Sequence, residues 1–121
     1  VEPEAECVLA DKDRMTQVFV NILENAARYN DKEKPTCNVR SEKIDDSVVI
    51  SFSDNGIGVS EKHLSKIFDS FYQVDMGSGR KVGGTGLGLS ICRGIMAAHG
   101  GKIWAEQNPK GGTVFKISLS L

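Results

Sequence analysis

The glycine-rich turn at residues 83–88 is the feature that most constrains what this chain can fold into. Four of its six residues are glycine, and it runs directly into an apolar segment from Leu87 to Ala98. Glycine permits close approach of the backbone, and a helix N-terminus offers unpaired N–H groups and positive potential to an anion. The turn is therefore a candidate phosphate-binding loop. On these residues alone, a flexible loop before a buried helix is an evenly matched alternative.

Composition and charge limit the classes of protein to which this chain can belong. Its 121 residues suit one domain, so we expect a single domain over residues 1–121. Hydrophobic residues make up 40% of the chain, and the formal net charge of −1 argues against a nucleic-acid partner. No apolar run is long enough to cross a bilayer, so we expect no membrane insertion. Cys7, Cys37 and Cys92 lack zinc-site spacing and are interpreted as buried, reduced thiols of a cytoplasmic protein.

Hydrophobic periodicity predicts an α+β chain, with helices on one face of a mostly antiparallel sheet. A first helix is expected around Met15–Ala26, after a candidate N-cap at Asp11 or Asp13. A short second helix is expected over Ser60–Ile67, capped by its first serine hydroxyl, and a third over Leu87–His99. The predicted strands are Glu6–Ala10, Thr36–Glu42, Ser47–Ser53, Lys102–Glu106 and Thr113–Leu119.

The first predicted helix carries an unusual polar face. Its members are spaced so that they form one continuous surface: Gln17, Asn21, Glu24, Asn25 and Arg28. Asparagine disfavours a helix because its amide competes with the backbone. A functional interpretation is a polar wall, in which an asparagine oxygen binds Mg²⁺ and Arg28 binds a phosphate. An exposed face of unfavourable composition is the alternative, and this helix alone slightly favours that alternative.

A carboxylate and a turn, Asp54-Asn55-Gly56-Ile57-Gly58, end one of the predicted strands. Ligands often bind at such an edge of a sheet, but these residue types also favour ordinary turns. Residues 68–82 then lack clear periodicity, and a loop of that length is usually functional or disordered. The sequence contains no Walker loop, dinucleotide fingerprint, eukaryotic-type kinase signature or Ser/His/Asp arrangement.

Four segments, taken in chain order, resemble the boxes of sensor histidine kinases. Residues 21–29 (NILENAARY) resemble the N box, 54–58 (DNGIG) the G1 box, 67–72 (IFDSFY) the F box and 84–91 (GTGLGLSI) the G2 box. Residues 99–101 and 111–113 fit the closing segment of the same family. The resemblance covers essentially the whole chain and implies a catalytic, ATP-binding domain. The implied Bergerat-type fold is a two-layer α/β sandwich, whose mixed, mostly antiparallel sheet of about five strands packs on three helices.

The resemblance implies ATP and Mg²⁺ as cofactors and assigns roles to individual residues. Asp54 would accept the adenine amino group, with Thr113 close by through a water, and Asn25 would hold the Mg²⁺. Residues 68–83 would form a lid over the ATP. The catalytic residues at the phosphates would be Asn21, Arg28, Arg80 and Lys81. The full set implied at the nucleotide is Asn21, Asn25, Arg28, Tyr29, Asp54, Ile57, Gly58, Phe68, Gly84, Thr85, Gly86, Leu87, Gly88, Leu89 and Thr113.

Asn21 occupies the position that separates these kinases from related ATPases. ATPases of the gyrase and MutL type carry a water-activating Glu there, four residues before the Mg²⁺-binding Asn. Because asparagine cannot act as a base, the resemblance implies phosphate transfer to a side chain rather than rapid hydrolysis. The chain departs from the family in two ways: it has no acceptor histidine followed by an acidic residue, and Gln73 stands where the family often has Arg.

The resemblance also implies partners that this chain does not contain. The γ-phosphate would pass to a histidine on the dimerisation hairpin of a parent kinase, with a response regulator downstream. The chain does not begin with Met and looks like part of a longer protein. We expect it to be monomeric and cytoplasmic, whether or not the parent is an inner-membrane sensor, and not to autophosphorylate alone. An anti-sigma-type serine kinase and a nucleotide-binding module without transfer activity are the alternative functions.

Overall fold

The computed structural model describes residues 11–28, 30, 33–70 and 88–120. Within these residues the chain forms two α-helices, two short 3₁₀ helices and four strands. In chain order they are α1 (Lys12–Arg28), β1 (Cys37–Ile44), β2 (Ser47–Asp54), the 3₁₀ helices Glu61–His63 and Lys66–Phe68, α2 (Gly88–Ala98), β3 (Lys102–Gln107) and β4 (Thr113–Ser120). No helix of the described residues is both long and apolar enough to cross a membrane.

The described strands form one sheet in the order β1-β2-β4-β3, and every neighbouring pair is antiparallel. Phe52 of β2 lies opposite Val39 of β1 and Phe115 of β4, so these side chains share one face of the sheet. The predicted α+β class and the antiparallel pairing of the four strands after α1 are confirmed. The remaining predicted strand, Glu6–Ala10, lies outside the described residues.

The core forms where both α-helices cover the same face of the sheet. Val18 and Ile22 of α1 are fully buried, and so are Cys92 and Met96 of α2. They pack with the buried sheet residues Phe52, Phe115, Ile117 and Leu119. Phe19 meets Phe52 edge to face, with their ring centroids 5.1 Å apart. The apolar residues that recur every 3.6 positions in the helices and every second position in the strands therefore meet in one core layer.

Helix ends follow the expected capping chemistry. Asp11, rather than Asp13, caps α1, because the Arg14 N–H donates to Asp11 Oδ1 at 3.0 Å. At the end of α2, Gly100 adopts φ +69°, and the Gly101 N–H donates to the Met96 carbonyl at 2.8 Å. Together with the bond from Gly100 N–H to the Ala97 carbonyl, this is a Schellman motif.

The predicted helix over Ser60–Ile67 is wrong in type. The segment instead forms two separate 3₁₀ turns, and the Ser60 side chain makes no capping hydrogen bond. The Leu64 and Asp69 N–H groups close bonds to carbonyls three residues back, which leaves no continuous α-helical ladder. The second turn buries Ile67 and Phe68 together.

The expectation of buried thiols is correct for one of the two described cysteines. Cys92 is buried and Cys37 only half-buried, and both are free thiols. Cys37 is less buried because it lies on β1, which is an edge strand among the described strands. Cys7 lies outside the described residues.

Candidate functional site

The Asp54 carboxylate is the centre of the candidate site. Asp54 ends β2 and is only 6% exposed. Its Oδ1 accepts hydrogen bonds from the Gly56 N–H at 2.9 Å and from the Thr113 N–H at 3.0 Å. Burial raises the pKa of Asp54, and the two N–H donors oppose this increase. A carboxylate oriented in this way is a fixed acceptor for a donor group of a ligand.

The turn between β3 and β4 approaches Asp54 closely because of its glycines. Gly112 adopts φ +97°, and a Cβ at this position would lie 2.1 Å from the Asp54 carbonyl oxygen. No other residue fits there without a backbone shift. The glycine lets the next residue, Thr113, place its N–H on the carboxylate, and Thr113 itself is 4% exposed. An open cavity of about 510 Å³ lies between this turn and residues 57–60.

Asn55 connects the Asp54 turn to the chain that follows α1. Its Oδ1 accepts hydrogen bonds from Asn30 Nδ2 at 2.7 Å and from the Thr36 N–H at 2.9 Å. Its Nδ2 donates to the Lys34 carbonyl at 3.1 Å. These three bonds satisfy both ends of one amide and fix which end is oxygen. These bonds join the Asp54 turn to the chain segment after α1.

The polar face of α1 lies beside the beginning of α2. Asn21 and Asn25 are half-buried and Arg28 is exposed. Asn21 Nδ2 donates to the Gly88 carbonyl at 3.3 Å, which brings the helix face against the last residue of the glycine-rich turn. Leu89 is 9% exposed and belongs to the core, so its backbone N–H, not its side chain, is what it can offer to a ligand. The N-terminus of a helix carries positive potential, and α2 begins at Gly88.

Three further predicted residues differ in exposure. Ile57 is 46% exposed, so its side chain is accessible to a ligand. Gly58 adopts φ +86°, and a Cβ there would lie 3.2 Å from the Gly112 carbonyl oxygen. The Phe68 ring lies in the core, edge-on to Phe115 at 6.3 Å. This position suits an anchor for the following segment rather than a direct contact with a nucleotide.

Several predicted site residues lie outside the described residues. These are Tyr29, Arg80, Lys81, Gly84, Thr85, Gly86 and Leu87, together with the part of the predicted lid from residue 71 to 83. Among the residues that are described, no group of three His, Cys, Asp or Glu side chains could hold a metal ion. The described polar face offers amide oxygens of Asn21 and Asn25, which are ligands of the kind that a divalent cation accepts.

Sequence reasoning missed three residues that shape the site: Gly112 as a contact of Asp54, and the amides of Asn55 and Asn108. Asn108 Nδ2 donates to the Asp54 carbonyl at 3.2 Å. The sequence offers only a weak signal for them, because asparagine and glycine in turns are common for local reasons.

Comparison with known proteins identifies the family to which the chain is similar. Residues 10–121 match the family described as histidine kinase-, DNA gyrase B-, and HSP90-like ATPase. The chain is 44% identical over 110 residues to the sensor protein kinase WalK of Staphylococcus haemolyticus. That match covers 90% of this chain and 18% of WalK, so the chain spans less than a fifth of this curated relative.

Solved structures show the same fold in sensor histidine kinases. A mycobacterial sensor histidine kinase, MprB, superposes with a TM-score of 0.83 at 27% identity, over 93% of this chain and 76% of that one. The histidine kinase ThkA, in complex with the response regulator protein TrrA, superposes with a TM-score of 0.76 at 32% identity, over 98% of this chain and 32% of that one. The chain belongs to the family of histidine kinase-, DNA gyrase B- and HSP90-like ATPases, as its four motifs predicted.

Proposed function

We propose that this chain binds Mg-ATP and supplies the γ-phosphate for a histidine on the dimerisation hairpin of a parent sensor kinase. The observation that carries the proposal is the buried Asp54 carboxylate, which is held by the backbone N–H of the neighbouring Gly56 and by that of the distant Thr113. The family supports ATP as the ligand. WalK, MprB and ThkA support the kinase class.

Asp54 recognises adenine through the difference between a donor and an acceptor. Adenine carries an exocyclic amino group that donates, whereas guanine carries a carbonyl oxygen at the same position. An ionised carboxylate only accepts, so it binds the first base and repels the second. Thr113, whose backbone N–H donates to the carboxylate, would hold a water on the base. Ile57, which is exposed, offers apolar surface to the ring.

The polar face of α1 is suited to the phosphates. Asn25 would hold Mg²⁺ through its amide oxygen, and the bound ion would neutralise charge on the phosphates. Asn21 lies against Gly88 at the start of α2, and Arg28 offers a guanidinium to the same region. Asn21 stands where the related ATPases carry a water-activating Glu, and its amide cannot act as a base. Catalysis then depends on positioning and on charge stabilisation, as phosphoryl transfer requires.

The partners follow from the same proposal. The phosphate acceptor is a histidine on the dimerisation hairpin of the parent kinase, and a response regulator accepts the phosphate next. ThkA has been solved in complex with a response regulator protein, which supports this order. We infer that the chain works on the cytoplasmic side of its parent and is monomeric without the hairpin.

A transfer assay tests the proposal. The chain is mixed with the dimerisation hairpin of its parent and with ATP labelled at the γ-phosphate, in the presence of Mg²⁺. We expect an acid-labile label on the hairpin, which Asn25→Ala abolishes and the exposed Asn38→Ala retains. An acid-stable label would indicate a serine kinase instead. Nucleotide binding without any label would indicate a binding module, and steady phosphate release without transfer would indicate an ATPase.

A further inference from the structure

Asn108 begins the turn between β3 and β4 and lies outside all four motifs. Its half-buried side chain bonds in two directions. Nδ2 donates to the Asp54 carbonyl at 3.2 Å, and Oδ1 accepts from the Lys110 N–H at 3.1 Å. Its backbone N–H also donates to the Gly112 carbonyl at 3.1 Å. One residue therefore ties the turn to itself and to the end of β2.

This tie matters because Asp54 lies just beyond the β2–β4 ladder. The paired residues of these strands end at Ser53 and Val114. The contact between the Thr113 N–H and Asp54 Oδ1 continues that alignment by a side-chain bond instead of ladder pairing. On the β1 side, Asp54 pairs with Cys37 in the β1–β2 ladder. On the side of the β3–β4 turn, the Asn108 amide bonds to the Asp54 carbonyl.

We propose that Asn108 is a positioning residue for adenine recognition, which fixes the Asp54 backbone against the β3–β4 turn so that the carboxylate keeps one orientation. The inference rests on the proposed ATP-binding function and deepens it. Asn108 acts through Asp54 and Thr113 and does not itself contact the base. Loss of its amide lets the turn move away, so the Thr113 N–H no longer holds Oδ1 and the carboxylate loses its aim.

The test compares two nucleotides that differ only at the recognised group. ATP and purine riboside triphosphate, which lacks the 6-amino group, are titrated calorimetrically into the 121-residue chain. The wild type should bind ATP about tenfold more tightly than the purine analogue, since a hydrogen bond to a charged group contributes a factor of that order. In Asn108→Ala this ratio should fall towards one. A purely structural role would weaken both nucleotides equally and leave the ratio unchanged.

Two further variants separate the contacts of Asn108. Asn108→Ser keeps an acceptor for the Lys110 N–H but cannot reach the Asp54 carbonyl. It should therefore lose the preference for ATP over the purine analogue, as Asn108→Ala does. It also serves if Asn108→Ala does not fold. Asn38→Ala removes an exposed asparagine of β1 and should bind like the wild type.

The acid limb of ATP binding gives a second readout. Thr113 N–H lowers the pKa of Asp54 against the effect of burial, so its loss should move the acid midpoint of ATP binding to higher pH. Burial and the charge of Asp54 raise the pKa of the Cys37 thiol, so this neighbour stays neutral in acid. Nucleotide protonation is the same for every variant and cancels in the comparison.

The outcomes are distinguishable. If the wild type binds no ATP, the proposed function fails. The Asn108 inference is overturned if the wild type and Asn38→Ala prefer ATP to the purine analogue and Asn108→Ser keeps both this preference and the acid midpoint of ATP binding. The proposed function stands in that case.

Discussion

At the scale of single residues, Asp54 receives its hydrogen bonds from two segments that are far apart in sequence. Gly56 lies two positions away and Thr113 lies 59 positions away. Both N–H groups bind Oδ1, so the orientation of the carboxylate depends on the local turn and on the distant β3–β4 turn together. A carboxylate is costly to bury unless it is hydrogen-bonded. The bond from Thr113 requires a close approach of the β3–β4 turn to Asp54, and only glycine at position 112 permits that approach.

Gly112→Ala should strongly destabilise the chain. Its Cβ would lie 2.1 Å from the Asp54 carbonyl oxygen, at φ +97°. We expect a loss of about 3 kcal/mol in the free energy of unfolding, from the contact and the backbone strain together. Urea denaturation measures this loss.

Gly111→Ala is the matched control for Gly112→Ala. Gly111 has φ +100°, but a Cβ there meets nothing within 4 Å, so only the strain of about 1 kcal/mol remains. Equal losses in the two variants would show that backbone conformation alone, and not the approach to Asp54, requires glycine at 112.

Asp54→Asn should raise the free energy of unfolding at pH 7. Burial raises the pKa of Asp54, so the folded chain holds this proton more tightly than the unfolded chain. The contribution of Asp54 to stability is therefore greatest at low pH and is lost as pH rises through its raised pKa. The gain in the variant should shrink as pH falls through the same range.

Urea denaturation at a series of pH values tests this dependence. Asp46→Asn, at an exposed position in the β1–β2 turn, should show no such gain. A stability difference for Asp54→Asn that stays constant with pH would contradict the prediction.

At the scale of elements, His99 joins the end of α2 to the beginning of α1. The Asp11 N–H donates to His99 Nε2 at 3.0 Å, and Nδ1 lies 2.8 Å from the Ile95 carbonyl. A backbone N–H can only donate, so Nε2 must be the acceptor, and the protonated Nδ1 donates a hydrogen bond to the Ile95 carbonyl. The ring is thereby fixed in one neutral tautomer, and it holds the two helices in position over the sheet.

His99→Ala should loosen the first turn of α1. We expect faster hydrogen exchange at the Asp11 and Met15 amides and a loss of about 1 kcal/mol in stability. Arg93→Ala is a control on the same helix, because it removes only a 3.3 Å ion pair with Asp69 whose side chains are 50% and 60% exposed. Unchanged exchange at the Asp11 amide in His99→Ala would show that the histidine bond does not restrain α1.

Elements with strong periodicity were predictable, and those without it were not. The α1 and α2 helices and the strands after α1 agree with the predicted pattern because their apolar residues recur at a fixed period. The Ser60–Ile67 segment is too short for such a pattern. A helix is predicted there from the serine before a glutamate, which is typical of an N-cap, but the Ser60 side chain makes no capping hydrogen bond. Tertiary burial of Ile67 and Phe68 decides its geometry instead.

At the scale of the whole molecule, the sequence indicates a candidate site but not the long-range contacts that hold Asp54 in place. Asp54 and the polar face of α1 could be singled out because they lie in motifs that resemble those of sensor histidine kinases, whereas each alone also fits an ordinary turn or an exposed helix face. The bond from Asn108 to Asp54 spans 54 positions, and its formation depends on two turns meeting at one end of the sheet. Local sequence carries no information on that meeting, so the contacts of Asn108 and Gly112 with Asp54 emerge only from the structure.

The most direct test of ATP recognition by Asp54 is calorimetric titration with a non-hydrolysable ATP analogue, with and without Mg²⁺. We predict binding by the wild type and by Asp46→Asn. Asp54→Asn should bind at least about tenfold more weakly, because an amide N–H₂ then faces the adenine donor. Asn25→Ala should lose the increase in affinity for the analogue that Mg²⁺ gives the wild type. A folded wild-type chain that binds no analogue, or an Asp54→Asn variant that binds as tightly as the wild type, would contradict the account.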